Sequence, residues 1–254
     1  NIKSAIPKEG FNFPAKLPLV LIEKASSLNE DGVLQVATRA GFLNKNYLVA
    51  EDITRGKTYI FREEEKSLTV YSKENDFVYV ASIENPPTSV SVPDETLIST
   101  AENFLKENFL ASNEGIHFSS INYLLDEGEH LSIASREEAN LFKINFSPID
   151  SQIKFVEDNP LNSNVSVWLT PLGQILKAEI KKISSARFSP QEVNLKTYEE
   201  FNTSLSTSTL VSLDNGNVFP GDLPEGSVGE ITVETVEIVY YQGDVSQNFY
   251  QPVF

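Results

Sequence analysis

The segment Asn164-Val-Ser-Val-Trp-Leu-Thr-Pro-Leu-Gly-Gln-Ile-Leu-Lys-Ala-Glu-Ile-Lys-Lys-Ile183 carries the strongest local signal in the chain. Pro171-Leu-Gly173 has turn chemistry, and beyond it Leu176, Ala178 and Ile180 alternate with Lys177, Glu179 and Lys181. Successive side chains of a strand point to opposite faces, so this pattern predicts an antiparallel hairpin with one face buried and the other wet. Upstream lie strand candidates at residues 116–125, 131–134 and 141–146, the last with Phe142, Ile144 and Phe146 in clean alternation. Ser135-Arg-Glu-Glu138 between them fits a capping box, but the residues after it have period two, which predicts a turn or one helical turn. Three further candidates fall at residues 58–61, 67–71 and 77–81, the last two joined by the turn Lys73-Glu-Asn-Asp76.

Two helices precede these strand groups. In residues 28–40, Val33, Val36, Ala37 and Ala40 fall on one face and Gly41 stands where a helix ends. Gly32 weakens that helix by about 1 kcal/mol. Pro93 and Asp94 open the second, whose apolar face holds Leu97, Ala101, Phe104 and Leu105. A third, weaker helix follows the capping box Thr197-Tyr-Glu-Glu200, with Tyr198, Phe201 and Leu205 as its stripe. Residues 230–241 read as a strand in which Ile231 and Val233 hold one parity and Val236, Ile238 and Tyr240 the other, with a bulge or twist near Glu234. The class is therefore α+β, two units of helix plus antiparallel sheet with strands dominant. The proline-rich Glu84-Asn-Pro-Pro-Thr-Ser-Val-Ser-Val-Pro93 reads as a linker. It divides an N-terminal domain, residues 1–85, from a C-terminal domain, residues 94–254, across residues 86–93.

Composition narrows the function. The 254 residues include 20 Lys and Arg against 36 Asp and Glu, a net charge of −16, which repels phosphate backbones and anionic lipid headgroups. Nucleic acid and membrane surfaces are disfavoured partners. Cysteine is absent, removing disulfides, thiolate nucleophiles and thiolate metal sites. Methionine is also absent, so an upstream segment, a signal peptide or membrane anchor, is expected to have preceded Asn1. No window approaches the roughly 20 apolar residues of a membrane-spanning helix.

No catalytic motif, metal site or cofactor site is expected. His117 and His130 are the two histidines, and neither has a partner at the HExxH spacing. No G-x-S-x-G elbow occurs. Acid pairs such as Glu23 with Asp52 or Glu127 with Glu129 have the groups of a glycosidase, but with 36 acids some pair is bound to fit. Residues 158–164 and 214–217 are rich in oxygen donors without matching a calcium loop, and Asx-rich turns explain both. Asn145, Asn164 and Asn202 match the glycosylation pattern, the first two inside strand candidates.

The order helix then antiparallel strands, twice over, resembles the PepSY-like and YycI-like extracytoplasmic domains of bacteria. The likeness rests on Ala139-Asn-Leu-Phe-Lys-Ile-Asn-Phe146, the hairpin Val165-Ser-Val-Trp-Leu-Thr-Pro-Leu-Gly-Gln-Ile175, the helix at Tyr198-Glu-Glu-Phe201, Val236-Glu-Ile-Val-Tyr-Tyr241 and Phe249-Tyr-Gln-Pro-Val253. It spans about residues 93–254. The resemblance implies a non-catalytic domain held at the cell envelope by an N-terminal anchor, regulatory or inhibitory in role, with another protein or a surface polymer as its partner. A carbohydrate-active enzyme with two carboxylates and a structural subunit of a surface assembly are the alternatives. The expected binding residues are Tyr241, Phe249 and Tyr250: Tyr240 shares a parity with Val236 and Ile238 and should be buried, Tyr241 should face away, and Phe249 and Tyr250 should form an exposed edge open to a partner strand.

Overall fold

The computed structural model describes residues 2–43, 46–53, 55–82, 92–110, 115–128, 131–157, 163–205, 207, 231–242 and 247–254. The chain opens with β1 (Ile2–Ser4), β2 (Lys16–Lys24) and α1 (Glu30–Arg39), followed by β3 (Tyr47–Asp52), β4 (Gly56–Arg62), β5 (Lys66–Tyr71) and β6 (Asp76–Ala81). Next come α2 (Asp94–Asn108), β7 (His117–Asp126), β8 (Leu131–Ile133), β9 (Leu141–Ser147), β10 (Lys154–Val156), β11 (Val165–Leu169) and β12 (Ile175–Lys181). The last elements are β13 (Ile183–Asn194), α3 (Tyr198–Leu205), β14 (Ile231–Val233), β15 (Val239–Tyr241) and β16 (Phe249–Val253). Strand outweighs helix and antiparallel pairing dominates, which is the α+β class in its coarse form. No helix among the described residues is long and apolar enough to cross a membrane.

The chain divides into two compact units, and both divisions of the long strands fall inside β2 and β13. The larger unit, residues 22–152 and 163–186, holds one sheet of nine strands in the order β3-β4-β5-β6-β12-β11-β9-β7-β8. After α1 the strands β3 to β6 form a meander; after α2 the strands β7, β9, β11 and β12 form a second. The two meanders join through β6 and β12, antiparallel in a register from Lys177 opposite Val80 to Lys181 opposite Asp76. Read away from that seam, each meander runs from its last strand to its first, and β8 adds a fifth strand on one side.

The compact units do not follow the expected division at residues 86–93. A four-stranded meander has an open last strand, and the main-chain groups of β6 are satisfied by β12 rather than by water. Residues 86–91 lie outside the described set. Val92 donates its N–H to the Pro171 carbonyl at 2.9 Å, so the chain entering α2 is tied to the β11–β12 turn.

Both helices lie on one face of this sheet. The α1 cap is Asn29, whose side chain accepts from the Gly32 N–H at 2.9 Å. Gly41 ends the segment at φ 78°, a left-handed backbone that glycine adopts without a Cβ clash. Val33 and Ala37 of α1 and Leu97, Ala101 and Leu105 of α2 share a core with Phe61, Leu68, Phe77, Phe142, Ile144 and Val167. Leu105 is buried as its period requires. Phe104 is only half-buried, its ring 5.1 Å from that of Tyr79 and 5.7 Å from that of Phe109. Asp94 in the first turn of α2 accepts from the Tyr123 hydroxyl at 2.6 Å and from Arg136 at 2.9 Å, pinning the helix start to β7 and to the turn after β8.

The smaller unit is residues 1–21, 153–162 and 187–254. Its strands form a parallel pair, β1 with β14, and a sheet in the order β10-β15-β16-β2-β13. The expected capping box is present at α3, where Thr197 N–H donates to Glu200 Oε2 at 2.8 Å and Glu200 N–H donates back to Thr197 Oγ1 at 3.3 Å. Phe201 and Leu205 of that helix are buried with Ile6, and Phe11 and Phe254 pack against them. The expected single strand over residues 230–241 is instead two short strands, β14 and β15, in different sheets. The change of parity near Glu234 marks that break rather than a bulge.

Candidate functional site

In the larger unit, the strand at one end of the nine-stranded sheet is β3, Tyr47-Leu-Val-Ala-Glu-Asp52. Aromatic and β-branched residues favour a pleated strand, and β3 pairs with β4 in an unbroken antiparallel register from Tyr47 opposite Phe61 to Asp52 opposite Gly56. Tyr47 anchors it: the ring lies 5.2 Å from Phe61 and 5.5 Å from Tyr59, and the hydroxyl donates to Glu30 of α1. That hydrogen bond, with some burial, raises the Tyr47 phenol above its ordinary pKa.

The other long side of β3 has no neighbouring strand among the described residues. Alternate N–H and C=O groups of the strand therefore point outward. Large apolar side chains follow the same line, with Leu43 87 %, Leu48 61 %, Val49 52 % and Ile53 101 % exposed. Leu48 shares the helix-free face with Ile60, while Val49 shares the helix face with Tyr47, so apolar surface flanks the edge on both sides. Proteins commonly guard a sheet edge with lysine, proline, a bulge or a very short strand. Residues 47–52 hold no lysine or proline, and the charges Glu51 and Asp52 sit at one end only. The opposite end of the sheet is guarded by length, since β8 has three residues.

The helix-free face offers a second feature. One row across the sheet runs Val80, Lys177, Trp168, Lys143 and Asn122 on neighbouring strands. The Lys143 and Lys177 ammonium groups stand 4.9 and 5.4 Å from the centre of the Trp168 ring, from the strands on its two sides. Lys177 also pairs with Glu179 at 2.8 Å. Burial pushes the Glu179 carboxyl up, but Lys177, Lys143 and the Ser166 hydroxyl outweigh it and hold it below the usual glutamate range. Asn145, buried on the same face two residues along β9, donates to Ser120 Oγ at 3.2 Å and accepts from Ser163 Oγ at 3.1 Å. A groove of about 420 Å³ lies beside Trp168, lined by Val80, Leu131, Leu141, Leu176, Lys177 and Asp126.

No family model, curated protein or solved structure matches this chain. Its chemistry must be read from its own residues.

The three residues expected to bind a partner lie in the smaller unit, and β16 is not an edge. It sits between β15 and β2, with Phe249 opposite Leu21, Tyr250 opposite Val20 and Tyr241 opposite Gln251. Tyr250 is fully buried, its ring 5.1 Å from Phe155, and Tyr240 is 1 % exposed as its parity required. Tyr241 and Phe249 are half-buried. Tyr250 thus belongs to a core with Tyr240 and Phe155.

Other candidates fall as follows. His117 is on β7, opposite Ser147, and His130 lies outside the described residues. So do residues 158–162 and 214–217, while Ser163 and Asn164 are buried in the larger unit. Burial of Asn145 and Asn164 closes two of the three glycosylation sequons. Glu23 accepts from Ser185 at 3.0 Å, and the side chains of Asp52 and Glu129 lie outside the described set. Among the described residues no three His, Asp or Glu gather where a metal would sit. Sequence reading missed β3 altogether, although Tyr47-Leu-Val before the Gly56 turn carries the residue types of a strand.

Proposed function

We propose that this chain is a non-catalytic extracytoplasmic domain of the bacterial cell envelope that binds another protein, with β3 as the recognition edge. The observation that carries the reading is the open six-residue edge strand with Leu48 and Val49 exposed at its middle. An added strand from a partner would complete hydrogen bonds that β3 leaves to water and cover its apolar flanks. The duplicated arrangement of helix and four antiparallel strands supports a PepSY-like, YycI-like relationship, and with it a regulatory or inhibitory role behind an N-terminal anchor. Fold likeness is an analogy for function, so the edge bears the weight.

A surface polymer is the less favoured partner. Sugar rings stack on an open aromatic face, and the Trp168 ring already has two lysine ammonium groups within 5.4 Å of its centre.

The test is capture from a bacterial envelope extract by the immobilised chain and by its Leu48→Lys variant. We expect a protein retained by the first and lost by the second, with both showing the same melting temperature. Capture that survives protease treatment of the extract would point to a polymer instead. Release of soluble sugar from wall glycan would replace the binding reading with the enzyme.

A further inference from the structure

We infer that the free chain pairs β3 with β3 of a second copy, antiparallel about a twofold axis at Leu48, so that a partner strand must displace that copy; this rests on the edge reading above. The edge has no neighbouring strand among the described residues, and its apolar side chains are in the open. Its residues also fit their own reverse. In an antiparallel pair, residues directly opposite each other share a face and either exchange both main-chain hydrogen bonds or exchange none. Both properties alternate along a strand, so a strand facing its own copy can oppose only residues of like parity. A residue, never the gap between two, therefore sits on the twofold axis.

The side chains choose that residue. With Leu48 on the axis, Leu48 meets its own counterpart on the helix-free face, and Tyr47 of each copy meets Val49 of the other on the helix face. Apolar with apolar and aromatic with β-branched are favourable cross-strand pairs. Asn46 meets Ala50. Leu43 and Ile53, the two most exposed large apolar side chains among the described residues, lie equally far from Leu48 on its two sides, so the same register carries each toward the other in the copy. An axis at Tyr47 would set Leu48 against Asn46, and one at Val49 would set Tyr47 against Glu51. An axis at Ala50 would set Leu48 against Asp52 and Val49 against Glu51. One register covers the apolar residues with one another.

Charge permits this pairing. In sequence, Glu30, Asp31, Glu51 and Asp52 around the edge are matched by Lys45, Arg55, Lys57 and Arg62. Lys45 precedes the strand and Glu51 and Asp52 close it, so reversing one copy brings unlike signs together. The whole chain carries −16, but at physiological salt exposed charges more than about 8 Å apart are largely screened. The pairing is also closed. A twofold contact of β3 with itself stops at two copies, whereas joining β3 to the three-residue β8 at the far end of the sheet would run on from copy to copy. A contact one strand wide is below the usual size of a stable interface, so the dimer should form at about micromolar concentration and yield to a tighter partner.

The experiment uses the whole chain: sedimentation equilibrium across concentration, amide hydrogen exchange in β3, and cross-linking of single-cysteine variants by a mild oxidant, which the absence of native cysteine makes unambiguous. We expect a dimer that dissociates on dilution, with exchange in β3 slowed about tenfold or more in the concentrated sample. Leu48→Lys places two like charges on the axis and should leave a monomer, at the melting temperature of dilute wild type. Opposed residues of an antiparallel pair have Cα atoms about 4.5 or 5.5 Å apart, within the span of a disulfide, so Leu48→Cys should cross-link its copies readily. Val49→Cys, whose thiols would stand diagonally, should do so about tenfold more slowly or less. Faster cross-linking of Val49→Cys than of Leu48→Cys overturns the register. A dimer that survives Leu48→Lys overturns β3 as its surface. A chain that stays monomeric up to about 1 mM overturns self-pairing. Capture of an envelope protein that Leu48→Lys abolishes would then still uphold the edge, and failure of both results removes the edge as well.

Discussion

Asp76 and Glu179 titrate with opposite consequences, although both are carboxylates on adjacent strands of one sheet. Burial, and then the nearby Glu74, raise Asp76 to about 6, against the pull of the Lys182 N–H, Lys181 and Arg55. The unfolded side chain ionises near 3.8, so between there and about 6 the folded protein holds the extra proton. Stability from this residue is therefore full in acid and falls as pH rises through that window, by at most about 3 kcal/mol. Asp76→Asn keeps an oxygen to accept the Lys182 N–H without the buried charge. We expect it to match the wild type near pH 4 and to be more stable above about 6, as read from urea unfolding across that range. No gain at neutral pH would mean that Arg55 and Lys181 compensate the charge fully. Glu179 has the other sign: its depressed carboxyl contributes stability above its unfolded pKa and loses it as pH falls. The cost of Glu179→Gln should accordingly shrink in acid.

At the scale of elements, α2 separates a buried position from its neighbour. Leu105 is fully buried, and Leu105→Ala should cost about 2–5 kcal/mol through lost transfer energy and a residual cavity. Phe104 keeps one side open, so Phe104→Ala should cost less than Leu105→Ala despite removing more atoms. Chemical denaturation of the two variants checks the order. The stripe was legible in sequence because a helix against a sheet repeats its apolar residues at three and four. The meander strands β4, β5, β6, β9, β11 and β12 were legible because their apolar residues fall at every second position; in β9 the alternate positions, Lys143, Asn145 and Ser147, are polar although they are buried as well. Strand β3 was not. Its flank is open on both faces, so Leu48 and Val49 are apolar side by side and the alternation that betrays a half-buried strand is missing. Strands β2 and β13 carry Pro18 and Pro190, which lower any strand assignment made from sequence. The expectation that Phe249 and Tyr250 form an exposed edge failed for a related reason. Aromatic density reports buried surface and interface alike, and only pairing shows that β16 lies inside a sheet.

For the whole molecule, the decisive contact is the seam between β6 and β12. Sequence displayed the repeat of helix and strands, because each copy writes its own periodicity. It did not display the join, because main-chain pairing uses groups that every residue carries. A proline-rich segment between the copies then reads as a domain boundary. The structure makes the copies one folding unit: Val78 faces Glu179 and Phe77 faces Ile180 across the seam, and the helices of both copies share one core. Separating them would bare two long strand edges and cut that core in two. We therefore expect residues 1–85 and residues 94–254, expressed alone, each to lack a cooperative thermal transition and to aggregate. Expressed together, they should assemble and melt as one. Leu68→Ala in the first copy and Ile144→Ala in the second should lower a single shared transition rather than two separate ones. A cooperative melt from residues 94–254 alone would show that the seam joins two independent folding units.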